Sequence, residues 1–125
     1  MTSDLDHFGQ AKYVSLTTFR KDGTPVATPV WVASDGDRLL VWTVTDSWKV
    51  KRVRKNPKVT IQQCDMRGNA SGPVVEGHAE VLDDDGTALV RKAIKRKYGI
   101  TGTVAINASL LRRGKRGTIG LAVTV

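Results

Sequence analysis

Residues 13–43 read YVSLTTFRKDGTPVATPVWVASDGDRLLVWT. The first run, 13–19, alternates, with Val14, Leu16 and Thr18 on one face and a high content of β-forming residues. Lys21-Asp22-Gly23-Thr24 then reads as a hairpin loop, because Asp-Gly supplies the positive-φ residue such turns require. The chain returns as a second strand over 26–33, turns again at Asp35-Gly36-Asp37, and makes a third strand over 39–43. Pro29 lies inside the second strand and has no N–H to give to a ladder. That position therefore belongs to a sheet edge, to a bulge, or to a place where a ligand takes over.

Three further runs, 59–64, 74–82 and 118–125, have strand character. Asp83 to Asp85 cap a helix over 84–98, in which Leu89, Val90, Ala93, Ile94 and Lys97 are spaced for one packed face. Gly99 stops it. Residues 100–111 are ambiguous, and 112–117 (RRGKRG) read as a basic turn. Six short strands joined early by tight turns predict a mainly β protein, a small antiparallel barrel, closed or nearly so. Turns in place of crossover helices argue against a doubly wound fold.

The chain has 125 residues, enough to bury a core as one domain over 1–125, with 1–10 expected to be a flexible N-terminal segment. Twenty Lys and Arg against twelve Asp and Glu give a net charge of +8, a field that attracts anions in general without selecting among them. The single cysteine, Cys64, excludes an internal disulfide and a multi-thiolate zinc site, and two separated histidines argue against a metal centre. No apolar run approaches the roughly 20 residues that span a bilayer, so no membrane partner is expected and the location expected is the cytoplasm.

The densest charge follows the third strand. From Ser47 to Lys58 there are six basic residues and no acidic one. Placed on a helix over 47–55 at 100° per residue, Val50 and Val53 share a narrow face, with Lys49 and Arg54 on its two flanks. Lys51, Arg52, Lys55 and Trp48 point away. The flanking pair can lay their stems along the core and deliver charge to a pocket mouth. Thr45, Asp46 and Ser47 supply N-cap chemistry, and a capped helix start with hydroxyls and a nearby lysine suits a phosphate. The plainer alternative is a solvated basic face. Nucleic acid is disfavoured, because single-strand binders need aromatic platforms and the few aromatics here sit mostly in strands that look like core.

The order of these elements resembles that of the split β-barrel flavin and deazaflavin oxidoreductases that include pyridoxamine 5′-phosphate oxidase. The resemblance runs over about residues 10–125. It rests on Leu16-Thr17-Thr18-Phe19-Arg20, Lys21-Asp22-Gly23, Thr28-Pro29-Val30-Trp31, Val41-Trp42-Thr43, Ser47-x-Lys49, Asn56-Pro57 and Val75-Glu76-Gly77, in that order. It implies a six-stranded Greek-key split barrel with two main helices, and a homodimer with its site at the subunit interface. Pro-Val-Trp in the second strand looks like the actinobacterial branch that uses the deazaflavin coenzyme F-420, with riboflavin 5′-phosphate (FMN) as the alternative cofactor.

By the same resemblance the cofactor phosphate is held by Thr43, Ser47 and Lys49, and the helix reading adds Arg54, on the other flank, to the expected cofactor-binding residues. The ring lies along Ala27, Thr28, Pro29, Val30 and Trp31. Ala27 stands where the pyridoxamine phosphate oxidases carry an arginine, and residues 71–75 (SGPVV) replace their Arg-Gln-x-Arg segment. The implied activity is an F-420-dependent reductase that passes a hydride to an unsaturated small organic substrate. The alternatives are an FMN-binding oxidase or flavin reductase, and a non-catalytic F-420 carrier. No catalytic residue or proton donor stands out, since this chemistry belongs to the cofactor and the protein supplies placement.

Overall fold

A computed structural model describes residues 7–114 and 116–125. Its strands are β1 (Tyr13–Phe19), β2 (Pro25–Val30), β3 (Val32–Asp35), β4 (Arg38–Val44), β5 (Lys58–Cys64), β6 (Ala70–Val81) and β7 (Thr118–Thr124). Two main helices are present, α1 (Trp48–Lys55) and α2 (Asp84–Arg113). All seven strands form one antiparallel sheet in the order β2-β1-β5-β6-β7-β4-β3. The six strands expected from sequence are therefore seven. The run 26–33 is not one strand, because the chain changes partner at Trp31. Up to Val30 it pairs with β1, and from Val32 it pairs with β4.

That change has a geometric consequence. β2 and β3 are the two outer strands of the sheet, yet one residue joins them. The sheet must curl until its edges meet at Trp31, so the barrel is bridged by the chain and not by a hydrogen-bonded ladder. Pro29 sits on β2, an edge strand, where a missing donor costs no ladder bond.

β6 begins earlier than the expected 74. Its register with β5 jumps between Ile61↔Val75 and Gln63↔Ser71, so residues 72–74 are looped out opposite Gln62. Gly72 takes a positive φ of 82° there, and its carbonyl accepts from Gln62 Nε2 at 2.8 Å. A bulge of this kind tolerates Pro73 inside a strand.

The alternation along β4 separates two cores. Leu39 and Val41 point into the curl with Val14, Leu16, Val59, Ile61, Leu121 and Val123. Leu40 and Trp42 point outward, beneath α2, with Val90, Ile94, Ile106 and Ala122. α1 buries Val50 and Val53, each burial being worth about 1.5–3 kcal/mol. α2 starts as expected, with the Asp83 carboxylate accepting from Gly86 N at 2.8 Å. It approaches β7 so closely that a Cβ on Gly120 would lie 2.5 Å from Val90 Cγ2.

Gly99 ends the first helical stretch as expected, leaving the helical path at φ 60°, ψ −132°, and the chain resumes at once as a second helical stretch to Arg113. The ambiguous residues 100–111 are thus helical, pinned by buried Gly102 and Ile106. Arg112 and Arg113 belong to the last helical turn, Gly114 caps it, and Lys115 lies outside the described residues. Of the N-terminal segment expected to be flexible, 1–6 also lie outside them, while 7–10 are helical with Phe8 buried. Among the described residues no helix is long and apolar enough to cross a membrane.

Candidate functional site

The end of β4 and the start of α1 fix the first half of the site. Thr43 faces into the curl at the last turn of β4, and Ser47 is the N-cap of α1 with an extended φ/ψ of −68°/152°. Ser47 makes no side-chain cap bond, and its Oγ is buried without a partner. Lys49, half-buried on the flank of the Val50/Val53 face, turns back and donates from Nζ to Thr43 Oγ1 at 3.0 Å. Burial, and then the charge of Arg52, hold its pKa below the ordinary lysine value.

The second half comes from the crossover. Trp31 stacks on Tyr98 with ring centroids 4.6 Å apart at 14°, and on Trp42 at 6.2 Å and 28°. Tyr98 Oη accepts from Val32 N at 3.1 Å and donates to Lys12 O at 2.7 Å. Lys97 Nζ donates to the carbonyls of Ala11 and Val32. Helix α2 thus clamps the point where the two sheet edges meet, and sets the plane of the Trp31 ring. Burial pushes Lys97 down to about 8 and Tyr98 up to about 12.

Between these halves lies an open cleft of about 320 Å³. Pro29, Val30, Trp31, Thr43 and Lys49, all expected at the site, line it together. Trp42, Val44, Thr118, Tyr13, Ser109 and Arg113 complete the lining. Sequence reasoning did not pick out these six as site residues. Trp42 reads as core, Tyr13 and Thr118 as strand ends, Val44 as the residue just past the third strand, Ser109 as part of an ambiguous segment and Arg113 as part of a basic turn. Trp42 Nε1 and Thr118 Oγ1 are buried without hydrogen-bond partners. Buried polar atoms are normally satisfied, so two orphans on residues of one cleft mark a place where a polar ligand would complete them.

The other expected site residues, Ser47 among them, do not line the cleft. Ala27 is exposed on β2, opposite Thr17, and Thr28 keeps a buried, unpartnered Oγ1 without lining the cleft. Arg54 is exposed on the far flank of α1 and does not line it either. Arg52 does not simply point to solvent. It reaches across to Thr18 Oγ1 at 3.3 Å.

A larger groove of about 720 Å³ lies along the other side of α1, between Trp48, Lys51, Arg52 and Lys55 and the β1–β2 turn. Size alone favours it. The smaller cleft has the stacked aromatic wall, the half-buried ammonium and the unsatisfied polar atoms that a cofactor site needs.

The family model described as Pyridoxamine 5′-phosphate oxidase matches residues 3–122. The chain belongs to that family. Solved structures of the same fold include the heme storage protein HutZ from Vibrio cholerae, 16% identical with a TM-score of 0.68, covering 98% of this chain and 87% of that one. An F-420 reductase is 23% identical with a TM-score of 0.60, covering 95% and 90%. A conserved hypothetical protein from Mycobacterium tuberculosis is 20% identical with a TM-score of 0.71, covering 97% and 77%. At these identities the likeness is one of fold. Comparison with curated proteins gives no match. Membership in the pyridoxamine 5′-phosphate oxidase family brings with it the split-barrel fold and a flavin-type oxidoreductase setting.

Proposed function

We propose that this protein is an oxidoreductase dependent on the deazaflavin coenzyme F-420, acting on an unsaturated small organic substrate, with its cofactor in the cleft between Trp31 and Lys49. One observation carries the reading. Lys49 and Thr43 form a half-buried donor pair in the same cleft as the unpartnered Thr118 oxygen and Trp42 ring nitrogen, and Trp31 walls that cleft. That donor set suits a phosphate, since charge-assisted bonds from lysine are strong where water is partly excluded. Trp31, held in plane by Tyr98 and Trp42, supplies a flat apolar surface for a ring.

Bound there, the coenzyme supplies hydride transfer, and the protein holds it in place and excludes water from one face. Arg113, on the cleft rim, is placed to meet further negative charge on the cofactor tail. Ala27 and residues 73–75 carry no charge, so the phosphate relies on the α1 side of the cleft. This favours F-420 over FMN held by strand arginines.

The cleft is small and open for such a ligand. The helix that brings Ser109 and Arg113 to it also shows solvent an apolar stripe: Ile100, Val104 and Leu111 are 85%, 61% and 92% exposed. Three turns of exposed apolar helix are costly in a monomer. In this reading a second copy of the chain covers that face and closes the cleft, which makes the homodimer the working unit.

Fluorescence titration with F-420 and with FMN tests the choice of cofactor. We expect F-420 to bind more tightly, and reduced F-420 to be oxidised in the presence of an activated alkene. Tighter FMN binding overturns the branch. Tight F-420 binding with no turnover across a panel of acceptors reassigns the protein as a carrier.

A further inference from the structure

The groove on the other side of α1 has no part in that reading, and its lining is unusual. Arg20 and Lys21 come from the β1–β2 turn, and Lys51, Arg52 and Lys55 from α1. Five cations surround about 720 Å³, and the lining contains no acidic residue. Among the described residues the ion pairs are Arg38–Asp35 and Lys58–Glu76, both elsewhere. The nearest carboxylate in sequence, Asp22, is turned into its own hairpin, where it accepts from Thr24 N at 2.9 Å. Trp48 stands in the same groove, 68% exposed, with the Lys51 ammonium 4.6 Å from its ring centroid. Phe19 also lines it.

Asp22 lies near enough to act on Arg20 but not on the other four cations. Cations brought together with so little counter-charge repel one another, and a large indole in water is disfavoured. A ligand with several negative charges and a flat ring would relieve both. The arginine forks add a preference for phosphate oxygens, which they can meet in pairs. A volume of this size is in the range of small-molecule sites, roughly 300–1,000 Å³. A strand of nucleic acid would need a longer track with successive aromatic platforms, and this groove shows solvent only one large aromatic ring.

We infer that this groove is a second binding site, separate from the Trp31–Lys49 cleft, for a nucleotide-class ligand with an aromatic ring and at least two phosphates. The ring stacks on Trp48 and the phosphates lie between Lys51, Arg52 and Lys55 on one side and Arg20 and Lys21 on the other.

Calorimetric titration of the full chain at fixed ionic strength tests this, with ADP, pyrophosphate and adenosine as separate probes. ADP should bind at one site per chain, at least tenfold more tightly than pyrophosphate or adenosine. The double variant Lys51→Ala/Lys55→Ala should weaken ADP at least tenfold while leaving F-420 titration within about threefold. Trp48→Ala should weaken ADP several-fold, and Trp48→Phe should restore most of the loss. Pyrophosphate binding as tightly as ADP would reduce the groove to a diffuse positive field and overturn the proposal. Failure of ADP to bind overturns it as well, and so does oligothymidine affinity that exceeds that of ADP and rises with length. None of these outcomes depends on the identity of the cofactor in the other cleft.

Discussion

Helix α1 serves two recesses that differ in kind, although their residues alternate along the chain. Lys49 faces the narrow cleft, where it is half-buried and bonded to Thr43, and whose lining includes the unpartnered Trp42 Nε1 and Thr118 Oγ1. Trp48, one residue before it, and Lys51, two residues after it, belong to the wide groove and are exposed. The most basic stretch of the sequence is therefore not one surface. Charge density located the region, while desolvation and geometry decide which lysine can hold a ligand firmly. The difference between the two sides can be tested residue by residue.

The largest expected effect is on the narrow side. Trp31→Ala removes the ring that stacks between Tyr98 and Trp42 at the sheet crossover. Truncating a buried tryptophan costs about 3–5 kcal/mol, and half-burial places this one at the lower end. Urea denaturation would reveal it as a clear drop in midpoint. An unchanged midpoint would mean that the crossover needs no aromatic clamp.

Next in size is the lysine pair. A charge-assisted bond to phosphate contributes about 1.5–3 kcal/mol, so Lys49→Ala should weaken F-420 binding by roughly one to two powers of ten. Lys51→Ala should change it by less than about threefold, because solvent and salt screen an exposed charge. Equal losses would erase the distinction between the two recesses.

A smaller effect follows from the clamp itself. Lys97 is held down to about 8 from an ordinary 10.5, so between those values the unfolded chain binds more protons and stability rises with pH. Tyr98 is pushed up to about 12 from 10, so above pH 10 the folded chain binds more protons and stability falls. The denaturation midpoint should climb from pH 8, peak near pH 10, and decline beyond it. Lys97→Met should reduce the climb, leaving the part that comes from Lys49, whose pKa burial also lowers. Partial exposure of both groups keeps the amplitude modest.

Smallest of all should be Trp48→Ala, which removes a mostly exposed ring and should shift stability by no more than about 0.5 kcal/mol. A large loss would show that the wide groove is part of the core and not an open surface recess.

Much of this was legible from residue types. Asp22-Gly23 and Asp35-Gly36 announced both early hairpins, and a 100° wheel put Lys49 beside the buried valines. The wheel could not say which flank meets the cleft, so it treated Arg54 as the equal of Lys49. It also placed Arg52 outward, since a wheel knows direction but not reach. The change of partner at Trp31 left no trace, because period-2 alternation reports the faces of a strand and says nothing about its neighbours. Gly99 signalled a break correctly. Whether the chain beyond it turned away or began another helix depended on Gly102 packing against Ile94 and Tyr98, a contact fixed only by the fold. Lys97 and Tyr98 lay in a helix predicted to pack, but nothing local revealed the carbonyls they hold.

The strand order also bears on how the chain assembles. Both edges of the sheet are made early, as the two local hairpins β1–β2 and β3–β4, already tethered at Trp31. The strand that unites them, β7, is the last along the chain, and it pairs with β6 on one side and β4 on the other. Until it arrives, the chain holds two separate sheets, β2-β1-β5-β6 and β4-β3, each with an unpaired edge. Such edges invite pairing between molecules, and ladders distant in sequence form slowly. During synthesis the protein is thus most exposed to aggregation just before its final strand emerges. A chain shortened before Thr118 should remain in that divided state.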